Sequence, residues 1–271
     1  MDYLTRDDAP FSEELWNDID HAVVGAVKET LVARRFLPLY GPLGDGIMAV
    51  RIDNPGGEEV HEDGFAVISN RTAKQLPMMY EDFWLYWRDL SANERMHTPV
   101  DLGPAKQAAQ ALALREDRVV FYGVPSLGID GMLTVTGTQS LKRSDWSKGE
   151  GAFQDVAAGI AALLEKGRIG RHTLLVSQDL WVDLQRIQGG TGVLESNRIG
   201  KLLDGRLYFS PILKPKTALL VCAQNQYIDL AVGIDYSTMY SEMDENHNHH
   251  LRIMQTFLPR IKAPDAIVVY K

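Results

Sequence analysis

The sequence predicts an α+β protein in which a small α/β domain interrupts a larger unit. Three observations carry this. Two long amphipathic stretches, about 12–34 and 104–122, read as helices on either side of a glycine-rich segment. From residue 131 short apolar runs alternate with short helical ones. After residue 231 the chain returns to strand-like runs. No internal repeat or low-complexity tract is present.

The chain has 271 residues, 45% of them apolar and 24% charged, which is ordinary globular composition. A domain of this size can bury about 75% of the surface of its unfolded chain. The balance of 28 basic against 36 acidic residues leaves a net charge of −8. That charge lacks the footprint of a general nucleic-acid binder and argues against docking on anionic lipid. The start, MDYLTRDDAPF, has no apolar stretch of a signal peptide. The longest near-apolar run, 156–164, is far short of the ~20 residues that span a bilayer. The expectation is a cytoplasmic protein with neither a membrane nor a nucleic acid as partner. Cys222 stands alone in the apolar run ALLVCA and reads as a buried strand residue rather than a nucleophile.

The elements follow in order. Ser12 is placed to cap the first helix, with Glu13 and Glu14 in its first turn. Leu15, Ile19, Val23, Ala26, Val27 and Leu31 then form its apolar stripe. After the turn cluster GPLGDG, strands over 47–53 and 65–70 enclose the polar NPGGEEVHEDG. This reads as a long hairpin arm with few neighbours in its own chain, so it needs another surface. Tyr80, Phe83, Trp84, Tyr86 and Trp87 mark an aromatic segment suited to core or interface packing. Pro104 opens the second long helix. Alanines at 105, 108, 109 and 113 with Leu112 give it a slim face, and Gly123 ends it. Beyond, helices are expected over 153–166, from Ser177 through 187, and over 194–203. Strands are expected over 173–176, 207–210, 218–223, 227–232, 251–257 and 266–270.

Signatures of catalysis are missing. The sequence holds no GxSxG, HExxH, CxxC, phosphate loop or dinucleotide fingerprint. Asp244, Glu245, His247, His249 and His250 crowd into DENHNHH, but a wholly polar segment between two strands reads as a solvated hairpin loop rather than a metal site. Asp18 and Asp20 are two residues apart and cannot share a helix face, so they read as solvated rather than as an acid/base pair.

Three collinear blocks resemble encapsulin shell proteins, the linocin family. The first holds Leu4, Arg6, Ala9-Pro10, Trp16, Ile19-Asp20, Arg34, Phe36, Gly41-Pro42 and Gly44. The second runs from Glu116-Asp117 through Phe121 and Gly123 to Gly128-Ile129, Gly131 and Leu133. The third holds Gly233, Asp235, Tyr240 and Thr256-Phe257. The resemblance implies the tailed-phage major-capsid fold of Hong Kong 97 type. It would place the N-terminal helix and the start of a peripheral domain in 1–45 and an extended arm in 46–76. The rest of the peripheral domain with its spine helix would fill 77–130, an axial domain 131–230, and peripheral return strands 231–271.

The same resemblance implies a non-enzymatic subunit that assembles with itself, about 60 copies or a multiple, around a cargo protein. A dye-decolorising peroxidase or a ferritin-like protein is the kind of cargo implied, held by its C-terminal peptide. Mapped onto this chain, the peptide site comprises Val27, Leu31 and Arg34 on the helix side and Ile234, Asp235 and Tyr236 on the strand side. Val27 and Leu31 also fit plain core packing, and Arg34 could pair with Asp235. The five-fold pore loop falls on Gly189, Gly190, Thr191, Gly192 and Glu195, and a simple surface turn is the other reading of this composition. No metal, cofactor or catalytic residue is implied. Some family shells stack a flavin on a tryptophan; here Arg88 holds that position with Trp87 beside it, so flavin is not carried over. Met239 replaces a glycine common in the family's third block, and the GGTG tip leaves the pore width open.

Two other functions compete. A phage or prophage capsid subunit shares the fold but often begins with a scaffolding or propeptide region, whereas the resemblance here starts at residue 1. A protease or bacteriocin would need a nucleophile, a base and an orienting group, which the sequence does not supply.

Overall fold

A computed structural model describes residues 5–52, 58–60, 64–68, 72–189 and 192–271. Helix α1 spans Glu13–Thr30, and the Ser12 hydroxyl accepts the Leu15 N–H at its start. It ends short of the expected residue 34 for a tertiary reason. The buried Asp117 carboxylate accepts the N–H groups of Val32 and Ala33, each at 2.9 Å, and so takes donors that a further helical turn would use. Leu31 is already extended, and Ala33–Arg35 form a single 3-10 turn.

Strands β1 (Leu39–Tyr40), β2 (Ala49–Arg51), β3 (Glu58–Val60), β4 (Ala66–Ile68) and β5 (Ala73–Gln75) follow. The arm is a ribbon of two antiparallel pairs, β2 with β5 and β3 with β4. The strands expected over 47–53 and 65–70 therefore do not pair with each other. Residues 49–51 pair instead with 73–75, and 66–68 with 58–60, which lie within the polar segment.

Strand β6 (Met78–Leu85), helix α2 (Trp87–Met96) and helix α3 (Gly103–Tyr122) come next. Along β6, Phe83 and Leu85 are buried while Met78, Tyr80 and Asp82 face outward, the period-two alternation of a half-covered sheet. Pro104 sits in the first turn of α3, where its missing N–H costs nothing. Ala105, Ala108, Ala109, Leu112 and Ala113 are buried against α1 and β6, and the small side chains let the helices approach closely. Gly123 ends α3 with φ 70°; a Cβ there would lie 2.2 Å from the Ile129 carbonyl oxygen, so only glycine fits.

The remaining elements are β7 (Gln139–Leu141), α4 (Gly151–Glu165), β8 (His172–Val176), α5 (Gln178–Asp183), α6 (Glu195–Leu202), β9 (Leu207–Phe209), β10 (Ala218–Cys222), β11 (Ile228–Val232), β12 (Ser237–Met243), β13 (His249–Ile261) and β14 (Ile267–Tyr270). Helix α5 stops four residues before the expected end. The carbonyls of Leu184 and Arg186 accept N–H groups of Ser196 and Glu195 instead of those of a next turn.

One sheet is organised by the long β13. Its first part runs between β6 and β12, and its second part pairs with β11, which in turn pairs in parallel with β1. The other sheet has the order β7, β14, β10, β8, β9. Strand β14 therefore lies in the sheet of the inserted α/β unit, although the sequence groups 266–270 with the return strands. All four of its residues are buried, as expected for an interior strand covered on both faces. Strand β11, conversely, joins the sheet of the larger unit. Among the described residues two apolar cores result. One lies between α1, α3 and the β6–β13–β12 sheet. The second fills the inserted unit and continues to Val50 and Leu76 at the arm's root.

Candidate cargo and pore sites

The break after α1 brings Arg34 onto the C-terminal part of α3. Its Nε and Nη2 donate to the two oxygens of Glu116, at 2.8 and 3.0 Å. Nη1 donates to Asp235 at 2.6 Å, and Nη2 also reaches the Gln255 side-chain oxygen at 2.8 Å. The Tyr236 hydroxyl donates to Glu116 at 2.8 Å, and the Tyr236 ring lies 4.9 Å from the guanidinium. Glu116 is fully buried, so this is an ion pair set into the protein rather than a surface contact. Burial opposes the charge on Arg34, but Glu116 and Asp235 outweigh it and hold the guanidinium above its ordinary range. Burial, then the neighbouring Glu116 carboxylate, push the Tyr236 phenol well up and keep it a donor. Beside them, burial pushes Asp117 up to about 7, although its two backbone hydrogen bonds pull the other way.

The structure thus brings Arg34, Asp235 and Tyr236 together, with Ile234 half-buried next to them. Val27 and Leu31 are placed differently from the expectation of an open groove. They are 5% and 3% exposed, inside the core between α1 and α3. The correction has a plain cause: both continue the stripe of Ile19 and Val23, which faces α3. Glu116, Asp117 and Gln255 were not singled out as site residues. Glu116 and Asp117 are acidic neighbours in a helix full of alanines, and that mismatch was the available signal.

Of the proposed pore loop, Gly189 and Gly192 are exposed, while Gly190 and Thr191 lie outside the described residues. Glu195 is corrected. It is fully buried at the start of α6, where its carboxylate accepts from Arg198 at 3.0 Å and lies 4.0 Å from Arg186. Arg186 and Gln188 are bonded to each other, and Gln188 and Arg198 both donate to Glu150. Gln188 N–H donates to the Val193 carbonyl across the loop's neck. The loop therefore stands on a braced base, and Glu195 belongs to the brace rather than to the tip.

The histidine-rich segment divides. Asp244 closes the turn by accepting from the backbone N–H groups of Asn246 and Asn248. His249 is buried in β13, its Nδ1 3.3 Å from the Tyr240 hydroxyl, and His250 stacks on Trp84 at 4.6 Å. Only the turn fits the expected solvated loop. Asp20 is not a free solvated group either, since Arg6 grips both its oxygens at 2.8 Å. Cys222 is fully buried in β10, and burial pushes its thiol up to about 11, so it is no nucleophile.

Similarity to known proteins is extensive. The profile of a family described as "Encapsulating protein for peroxidase" matches residues 1–258. The type 1 encapsulin shell protein EncA of Myxococcus xanthus is 34% identical over 98% of this chain and 95% of its own. Among solved structures, a virus-like particle from Pyrococcus furiosus superposes with a TM-score of 0.75 at 20% identity, covering 95% of this chain and all of that one. The capsid of Myoviridae phage XM1 superposes with a TM-score of 0.58 at 10% identity, covering 88% and 90%.

Proposed function

The chain belongs to the encapsulating-protein family of encapsulin shell proteins, and from that membership we propose that about 60 copies or a multiple close into an icosahedral compartment that takes up a cargo enzyme by a short peptide of the cargo. The role of the family is structural rather than enzymatic, and the fold is the tailed-phage major-capsid fold. Among the described residues no helix is long and apolar enough to cross a membrane. A phage capsid subunit is the weaker reading, because the likeness to a shell protein is one of sequence along the whole chain and the likeness to phage capsids is one of fold.

One observation carries the assembly reading. The arm displays Met48, Phe65 and Val67 at 79, 69 and 52% exposure, left uncovered among the described residues. Apolar side chains gathered on a projecting ribbon gain about 25 cal/mol for each Å² that a neighbouring copy covers.

The peptide docks, on this reading, against the rim of Ile234, Asp235 and Tyr236. Arg34 fixes the rim from behind, and Val27 and Leu31 support its floor from within the core. The exposed Asp235 carboxylate supplies the charge that selects a basic residue of the peptide. The loop around Gly189–Gly192 lines a passage for ions and small substrates at a symmetry axis. Asp235→Asn tests the docking site, since its side chain is half exposed and the change removes its charge while Arg34 keeps its pairing with the buried Glu116. Shells of wild-type size that have lost their cargo are expected. Retention of cargo at the wild-type ratio places the docking site elsewhere.

A further inference from the structure

The arm is anchored at its root by two cationic side chains from different parts of the fold. The root is the β2–β5 ribbon, extended by hydrogen bonds from Ile52 N–H to the Thr72 carbonyl and from Leu76 N–H to the Met48 carbonyl. Val50 and Leu76 pin its inner face in the core. On the outgoing strand, the Arg51 carbonyl accepts from Arg260 Nη1 at 3.1 Å. On the returning strand, Lys74 donates to the Gly128 carbonyl, in the loop after α3, and lies 3.7 Å from Asp130.

Arg260 is itself held with little freedom. Asp229, 2% exposed, takes its Nε and Nη2 at 2.6 Å each, and Lys262 donates to the same carboxylate at 2.7 Å. The Tyr40 ring lies 3.9 Å from the guanidinium. A planar fork fixed in this way aims its remaining nitrogen at one place, the Arg51 carbonyl. A lysine could keep the ion pair but not the third contact.

We infer that Arg260 and Lys74 are positioning residues that set the angle at which the arm leaves the subunit, and through it whether copies close into one shell size. The inference rests on the chain acting as a shell subunit. Its physics is that of a lever. A single tether leaves a ribbon free to roll about it, whereas tethers on opposite strands fix roll and pitch together. Val60 is 60 − 52 = 8 residues beyond Ile52, a reach of up to ~26 Å at ~3.3 Å per residue. A swing of ~10° at the root then moves that point by ~4.6 Å, about one strand spacing. A contact repeated from copy to copy closes only at one rotation, so an error of that size yields other closures or open sheets.

The test compares the full-length wild type, Arg260→Lys and Lys74→Met by electron microscopy and mass photometry, with circular dichroism to follow folding. Wild type is expected as one narrow size class. Both variants should keep the folded spectrum yet give a second size class, a shifted diameter or open assemblies. Wild-type shells of a single unchanged diameter from both overturn the inference. If Arg260→Lys does not fold, Lys74→Met decides alone, since its side chain is partly exposed and replaces no buried charge. Failure of the wild type to form closed particles refutes the shell reading itself, a distinguishable result that removes the basis of the inference.

Discussion

Arg34 holds Glu116 through two parallel hydrogen bonds, although 82 residues separate them in the chain. The pair joins the end of α1 to α3, and Tyr236 and Gln255 attach the β12–β13 region to the same point. It is an architectural joint, and the rim proposed for cargo is built on it.

Breaking that joint should be costly. Arg34→Met leaves the fully buried Glu116 without its counter-charge, a change expected to destabilise by about 3–5 kcal/mol. The double variant Arg34→Met with Glu116→Leu should recover much of this, because no buried charge is then left unpaired. Guanidinium unfolding midpoints measure both; equal midpoints for wild type and Arg34→Met contradict the assignment.

Acidification should favour the fold through Asp117. Its folded pKa, about 7, lies above the ordinary 3.8. Between those values the folded chain keeps a proton that the unfolded chain has released. The contribution is full below the lower value and is lost as pH rises toward 7, with a slope of order 1 kcal/mol per pH unit. His249 works oppositely: burial holds its pKa below 6.5, so protonation of the unfolded chain favours unfolding as pH falls past that value. The difference between wild type and Asp117→Asn isolates the first effect. Stability at pH 5.5 relative to pH 8 should be greater for wild type than for the variant; identical profiles rule the effect out.

The lone thiol should be silent in the folded protein. With its pKa near 11 and no solvent exposure, Cys222 should not react with a disulfide reagent at pH 8. One thiol per chain should appear on denaturation. Rapid labelling of native shells contradicts the burial.

Removal of residues 54–63, the outer part of the arm, should leave the two cores folded and abolish closure. Residues 58–60 there pair with β4, and neither β6, α3 nor β13 depends on them. Soluble small oligomers are expected on size exclusion, and full-sized shells contradict the arm's role.

Much of this architecture is legible from residue patterns. The Ser12 cap, the alanine face of α3 and the Gly123 stop are local signals, and the structure honours each. Other features are set by partners far along the chain. Helix α1 ends where Asp117 captures its next amides, and α5 ends where amides at the α6 entrance donate to the carbonyls that follow it. Strand β14 carries no alternation to show which sheet it joins, because both its faces are covered. The residues proposed for docking divide on the same ground. Asp235 and Tyr236 reach Arg34 as a polar arginine demands, whereas the stripe that contains Val27 and Leu31 had a core reading, and burial follows it.

The central claim is that this chain closes around a lumen. Its most direct test is the mass and image of the purified full-length protein. At 30.3 kDa per chain, about 60 copies give a particle of ~1.8 MDa. Hollow particles with icosahedral symmetry, at that mass or a multiple fixed by the same symmetry, are the predicted result. A monomer, a small ring or an open filament at concentrations that preserve the fold contradicts it.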